Sequence, residues 1–271
     1  MLKTRVITAL VLLAVLLPLF FLSDFIAFAV VALAFFAAGA WEGLRLFQLS
    51  RPQLWAGVWT AVYAAIVFVS DLPGECGLLG LCVALWAFGF VPALKLGLPP
   101  PGTSGDRLLS VAYMLALMGC FIAIVDLFRH APLYLLSVMA IVWVADIGAY
   151  FVGKRCGRRR LAPSISPGKS WEGAVGGWLA VLAIGAATVI CLGGDTFSGR
   201  LYERYGWPGF VMVMTLLVIA AVVGDLFESQ LKRRAGIKDS SSLLPGHGGV
   251  LDRIDALIPV LPLAALIDLR L

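Results

Sequence analysis

Charged residues are scarce: Asp, Glu, Lys and Arg make up 14% of the 271 residues, where soluble domains carry about 25%. With 61% apolar side chains and a mean hydropathy of +0.97, the composition excludes a water-soluble globule, a disordered chain and a coiled coil. An integral membrane protein is what remains. The cysteines (Cys76, Cys82, Cys120, Cys156 and Cys191) form no C-x-x-C pair and mostly lie in apolar runs, which argues against a zinc site or a disulfide-stapled module. Histidine is nearly lacking, with only His130 and His247. No A-x-A-like cleavage site follows the first apolar run, which therefore reads as a retained helix rather than a secretory signal. Neither an extramembrane domain nor a repeat of fixed period is evident.

What is abundant is hydrocarbon. A helix crosses a bilayer with about 20 mostly apolar residues, and nine runs approach that length: 6–22, 25–41, 54–70, 76–94, 108–128, 132–152, 171–192, 207–227 and 250–269. The expected fold is an all-α polytopic membrane protein with nine transmembrane helices. Five spans form an N-terminal region, 1–128. Four spans with two basic loops form a C-terminal catalytic region, 129–271. Of the 21 Lys and Arg, all but Arg129, Arg200, Arg204 and Arg270 fall on one side of the membrane. Positive loops stay cytoplasmic, so the N-terminus is expected inside and the C-terminus outside. The net charge of +5 is then sorted by topology rather than gathered into a nucleic-acid footprint.

Ionisable residues at membrane depth are the informative ones, since each costs roughly 2.5–3.5 kcal/mol at a helix centre. Asp126 has Arg129 at i+3 near an outer helix end, and a local ion pair accounts for it. Asp225 and Glu228 stand three apart at the end of the eighth run, and Asp252 and Asp255 three apart at the start of the ninth, so each pair shares a helical face. Four converging carboxylates call for a cation, and an all-oxygen donor set suits Mg²⁺. The plainer alternative is salt bridging: Glu228 with Lys232 at i+4, and Asp252 or Asp255 with Arg253 or Lys238.

The two basic loops, 153–170 and 228–249, carry the remaining candidates. In the second, Lys232, Arg233 and Lys238 are cationic donors, while Gly246, Gly248 and Gly249 allow backbone to approach a ligand, as phosphate binding requires. His247 sits among those glycines, where packing hardly explains it. In the first, Asp146 lies inside the sixth run, ahead of Lys154, Arg155 and Arg158 to Arg160, a basic stretch that also serves to hold topology and touch anionic lipid. Gly168-Lys169-Ser170 lacks the earlier glycine of a nucleotide P-loop, because Pro163 stands there. Ser170 and Glu172 fit a helix cap and first turn. Lys169 has no acidic residue close before it.

The stretch from Ser229 to Asp255 resembles the hallmark of the phosphatidate cytidylyltransferases. Ser229, Leu231, Lys232, Arg233, Lys238, Asp239, Ser241, Leu244, Pro245, His247, Gly248, Gly249, Val250, Asp252, Arg253, Ile254 and Asp255 meet every specified position. The segments 146–153 and 164–173 resemble the family's upstream motifs, so the likeness covers roughly the C-terminal half. It implies a multi-pass enzyme of the inner (cytoplasmic) membrane, homodimeric, that joins CTP to phosphatidic acid and yields CDP-diacylglycerol and pyrophosphate. It further implies a two-metal site, Mg²⁺ with K⁺ as second ion, at carboxylates matching Asp225 and Asp252, with Asp255 a further candidate. On this reading Lys169, Lys232, Arg233 and Lys238 clamp phosphates, and His247, Gly248 and Gly249 orient them. Asp146, Ser166, Ser229 and Arg253 complete the substrate contacts, and Glu228 the metal set. Two other classes compete with this reading. An ion-coupled transporter would place its acids near the midplane of an inverted repeat. A CDP-alcohol phosphotransferase would carry Asp-x-x-Asp-Gly-x-x-Ala-Arg, a string absent here.

Overall fold

The computed structural model describes residues 2–69 and 75–269. Arg270 and the side chains of Lys3, Arg5 and Cys76, on which parts of the sequence reading rest, lie outside what is described. The chain runs through α1 (Leu2–Leu22), α2 (Phe25–Leu46), α3 (Pro52–Val69), α4 (Glu75–Leu85), a π-helical turn (Trp86–Phe90), α5 (Val91–Leu96), α6 (Ser104–His130) and α7 (Pro132–Cys156). It continues through strands β1 (Arg160–Ala162) and β2 (Ser166–Ser170), then α8 (Trp171–Leu192), α9 (Phe197–Arg234), α10 (Leu251–Ile254) and α11 (Leu257–Asp268). Among the described residues, seven helical stretches are long and apolar enough to cross a membrane. The fold is an all-α polytopic membrane bundle, as the apolar runs require.

Two elements depart from the run-by-run reading. The ninth run is divided: α10 is a single turn, and α11 has 12 residues, about 18 Å at 1.5 Å per residue. Its residues from Leu257 to Leu261 are all buried, as are Pro262, Ala264 and Ala265. A helix apolar on every side belongs inside protein rather than against lipid, and α11 packs against α6, α9 and α4. The second departure is the antiparallel β1–β2 hairpin, with Arg160 opposite Ser170, within a loop that the all-α reading left irregular.

The helix pair α7–α8 shapes the site. Gly173 and Gly177, one turn apart on α8, lie against the Ala149 and Ala145 carbonyls of α7, and a Cβ at either would collide with that backbone. Small residues at this spacing let membrane helices approach at backbone contact. Ser170 caps α8 by accepting from Gly173 N at 3.1 Å. Glu172 accepts from the Arg158 and Arg159 amides, fixing the hairpin to the start of α8. α9 is interrupted at Gly206 (φ 63°), just before the expected eighth run, and continues past it to Arg234.

Elsewhere Asp24 caps α2. The Arg129 guanidinium lies 4.2 Å from the Phe25 ring centroid and donates to Val67 O, and the local pair with Asp126 expected there is absent among the described ion pairs.

Candidate active site

The last turns of α9 carry Asp225, Glu228, Ser229 and Lys232, whose i, i+3 and i+4 spacing brings them to one face. β2 delivers Lys169 to this face, where its ammonium pairs with Asp225 Oδ2. Ser229 Oγ donates to Asp225 Oδ1 at 3.3 Å. This is the acidic partner that Lys169 lacks in its own stretch of sequence.

Lys232 Nζ lies 2.6 Å from Glu228 Oε2 and 2.7 Å from Asp252 Oδ1. The i+4 salt bridge of the plainer alternative therefore forms, but the partner on α10 is Asp252 reaching Lys232, not Arg253 or Lys238. The second oxygen of Asp252 accepts from Ser240 N and Ser240 Oγ, each at 2.9 Å, and from Gly249 N at 2.8 Å. Although it falls in run 250–269, Asp252 lies outside the seven helical stretches long and apolar enough to cross a membrane. Burial pushes its carboxyl up, but the hydrogen bonds from Lys232, Gly249 and Ser240 outweigh that and hold it below the ordinary Asp value.

Two carboxylates are less well served. Glu228 is fully buried, and its Oε1 has no hydrogen-bond partner. Asp255 accepts from Ala256 N at 2.7 Å and has no cation in bonding reach among the described ion pairs. Its carbonyl packs on α9 at Gly224, where a Cβ would come within 2.5 Å of it. The turn between α10 and α11 thus closes on α9 beside Asp225. The four carboxylates do not make one cluster: Lys232 stands between Glu228 and Asp252, and among the described residues no three His, Cys, Asp or Glu side chains group at metal-holding distances.

Two glycines of the 228–249 loop, Gly248 and Gly249, approach carboxylates, whereas Gly236 has no atom within 4 Å of an added Cβ. Gly248 has φ 84°, a conformation side chains disfavour, and its missing Cβ would stand 2.8 Å from Asp252 Oδ2. Gly249 abuts Ser240 and Glu42. His247 donates its amide to Leu244 O at 2.8 Å, and its ring Nδ1 is buried without a partner. The Arg253 guanidinium donates to His247 O at 2.7 and 3.1 Å, which closes the turn. Arg233 is exposed and donates to Ile165 O. Lys238 is exposed, and Ser166 is half-buried in β2.

A cavity of about 590 Å³ opens between α7, the hairpin, α8 and α9, within the size range of small-molecule sites. Asp146 and Lys154 of α7, Arg160 and Lys169 of the hairpin, and Asp225 line its polar side, while Val218 and Ala221 line its apolar side. Lys154 and Arg160 belong to a basic loop that the sequence reading singles out, but they stand outside the phosphate-clamping residues it names. The same reading missed Glu42 of α2 altogether, although a lone acid at the end of an apolar run was a visible signal.

The profile of the Cytidylyltransferase family matches residues 3–269. A phosphatidate cytidylyltransferase of Pseudomonas aeruginosa is 42% identical over 272 residues, covering 98% of this chain and 96% of that protein. One from Haemophilus influenzae is 35% identical, covering 97% and 96%. One from Bacillus subtilis is 39% identical over 142 residues, about half of each chain.

Proposed function

Because the chain belongs to the cytidylyltransferase family, we propose that it is a phosphatidate cytidylyltransferase, joining CTP to phosphatidate to give CDP-diacylglycerol and pyrophosphate. The observation that carries this reading is the cavity between α7, α8 and α9, where Lys154, Arg160 and Lys169 face Asp146 and Asp225. Its cations suit a triphosphate. Its apolar side, within a bundle of lipid-facing helices, lets a diacyl substrate keep its tails in the bilayer while its phosphate meets a nucleotide arriving from water.

The lipid phosphate is a phosphomonoester, so its oxygen attacks the α-phosphorus of CTP without a general base. The new P–O bond forms as the α–β bridge breaks and pyrophosphate leaves. Lys169 and its neighbouring cations hold the triphosphate in line, and Asp225 holds Lys169. Such transfers depend on positioning and charge stabilisation rather than on covalent catalysis.

The all-oxygen donor chemistry fits a divalent cation, although among the described residues no three of these side chains stand at metal-holding distances as they lie. Asp225, Glu228 and Asp252 share two ammonium groups, Lys169 and Lys232, while Asp255 pairs with no cation among the described ion pairs, and the orphaned Glu228 Oε1 is a free ligand atom. Asp225 and Asp255, with Glu228 beside them, would hold Mg²⁺, which suits all-oxygen donors. When bound, the ion neutralises phosphate charge and stabilises the leaving pyrophosphate. Asp252 contributes by fixing Lys232. The family resemblance adds K⁺ as a second ion.

The same reading takes the protein as a homodimer of the inner membrane with nine membrane-embedded helices, the N-terminus cytoplasmic and the C-terminus outside. Residues 1–128 then form the scaffold region and 129–271 the catalytic one. The sided distribution of Lys and Arg supports that orientation, and the cavity's Lys154, Arg160 and Lys169 lie on the side it makes cytoplasmic. Reconstitution with phosphatidate, Mg²⁺ and CTP labelled at the α-phosphorus tests the activity. Label should pass into a chloroform-soluble CDP-lipid, and a folded protein that transfers none would refute the assignment.

A further inference from the structure

Glu42 is a carboxylate in the interior, and among the described residues no Lys or Arg pairs with it. It sits at the end of α2, in the half of the chain whose sequence offers only apolar helices, and is fully buried. Four donors from the 228–255 region converge on it from about 200 residues away. Leu251 N lies 2.6 Å from Oε2 and Val250 N 3.1 Å from Oε1, while the Ser240 hydroxyl is 3.1 Å from Oε2 and the Ser241 hydroxyl binds Oε1. Burying such a group costs several kcal/mol unless its lone pairs are satisfied; here Oε1 accepts from Ser241 and Val250 N, and Oε2 accepts from Leu251 N and shares the single Ser240 hydroxyl proton with Asp252.

The Ser240 hydroxyl also contacts Asp252 Oδ2, at 2.9 Å. Asp252 in turn binds Lys232, which binds Glu228. Gly249 lies directly against the Glu42 carboxylate, where any side chain would overlap both it and Ser240. A single side chain from the N-terminal half therefore grips the glycine-rich turn at both ends and sets the approach of α10 to α9.

We infer that Glu42 is a positioning residue for the reaction: by accepting from Ser240, Ser241 and the Val250 and Leu251 amides, it locks the loop that presents Asp252 to Lys232. Its catalytic consequence rests on the proposed transferase reading; its structural consequence does not. The site needs a group that only accepts. Glu42→Gln keeps size and shape but aims an NH₂ donor at other donors, so the loop should loosen while the bundle stays folded.

The test uses full-length protein in nanodiscs. In Glu42→Gln, amide hydrogen exchange over 238–252 should quicken while that of α6 stays at the parent rate. Turnover should fall about 10–100-fold, the range for losing a residue that orients a ligand-bearing side chain, with KM for CTP little changed. Glu42→Gln combined with Ser240→Ala should cost less turnover than the sum of the two single effects, because both remove the Ser240–Glu42 contact; a general loss of stability would make the two effects add. If Glu42→Gln does not fold, Ser241→Ala removes one donor at a half-buried position and should quicken exchange in the same segment. Parent-like exchange over 238–252 in the folded variant, or additive effects in the pair, would overturn the inference. A parent protein without CTP turnover would sink the transferase reading instead, and the exchange result would still decide this one.

Discussion

The ammonium of Lys232 lies 2.7 Å from Asp252 Oδ1, joining the last turns of α9 to α10 across a loop that contains no regular helix or strand. The same ammonium neutralises buried Glu228, so one cation fixes both the separation and the charge balance of the two segments.

Asp252→Asn keeps the size of the side chain and removes its charge. The amide cannot hold Lys232 as an ion pair while accepting from Ser240 and Gly249. Turnover should fall on the order of 10²-fold, as for loss of one preorganised electrostatic group, with the thermal unfolding profile nearly that of the parent. CDP-lipid formation in vesicles measures the first and a melting scan the second.

Lys232→Met leaves Glu228 buried and uncompensated. Removing one partner of a buried pair costs about 3–5 kcal/mol, so this variant should melt well below the parent. Lys238→Met removes an exposed cation and should melt as the parent does.

Gly177→Val drives a branched side chain into the Ala145 carbonyl of α7. Overpacking of this kind costs about 1–3 kcal/mol, and because α7 and α8 wall the cavity, turnover should fall with stability. Gly57→Ala, where no atom lies within 4 Å of the added Cβ, should change neither.

Chelation should stop turnover, and Mg²⁺ should restore it. Mg²⁺ should also raise the melting temperature of the parent, since a ligand that binds only the folded state stabilises it, and raise that of Asp255→Asn much less. Full activity in excess chelator would remove the ion from the account.

The membrane helices were legible because bilayer thickness sets their length, and α8 begins and ends where its apolar run does. That run 250–269 divides into α10 and α11 was not legible, because hydropathy does not distinguish lipid from protein interior, and α11 is enclosed by α6, α9 and α4. Short motifs also singled out candidates that the structure brings together: the i, i+3 acids and the Ser229-to-Asp255 hallmark supplied Asp225, Glu228, Lys232 and Asp252, of which Lys232 joins Glu228 to Asp252. What pairs with them from distant segments was not legible. Lys169 meets Asp225 across 56 residues, and Glu42 reaches Ser240 across 198. No local pattern encodes contacts closed only by tertiary packing. The glycines of the loop were read as making room for a ligand, and two of them instead make room for Asp252 and Glu42.

The central claim is that the Asp225 carboxylate, paired with Lys169 at the wall of the cavity, is part of the machinery that joins nucleotide to lipid. Turnover of Asp225→Asn and Asp126→Asn, each reconstituted and shown folded, tests it most directly. The account predicts a loss on the order of 10²-fold or more for Asp225→Asn and near-parent rates for Asp126→Asn. Equal rates in the two variants would contradict it.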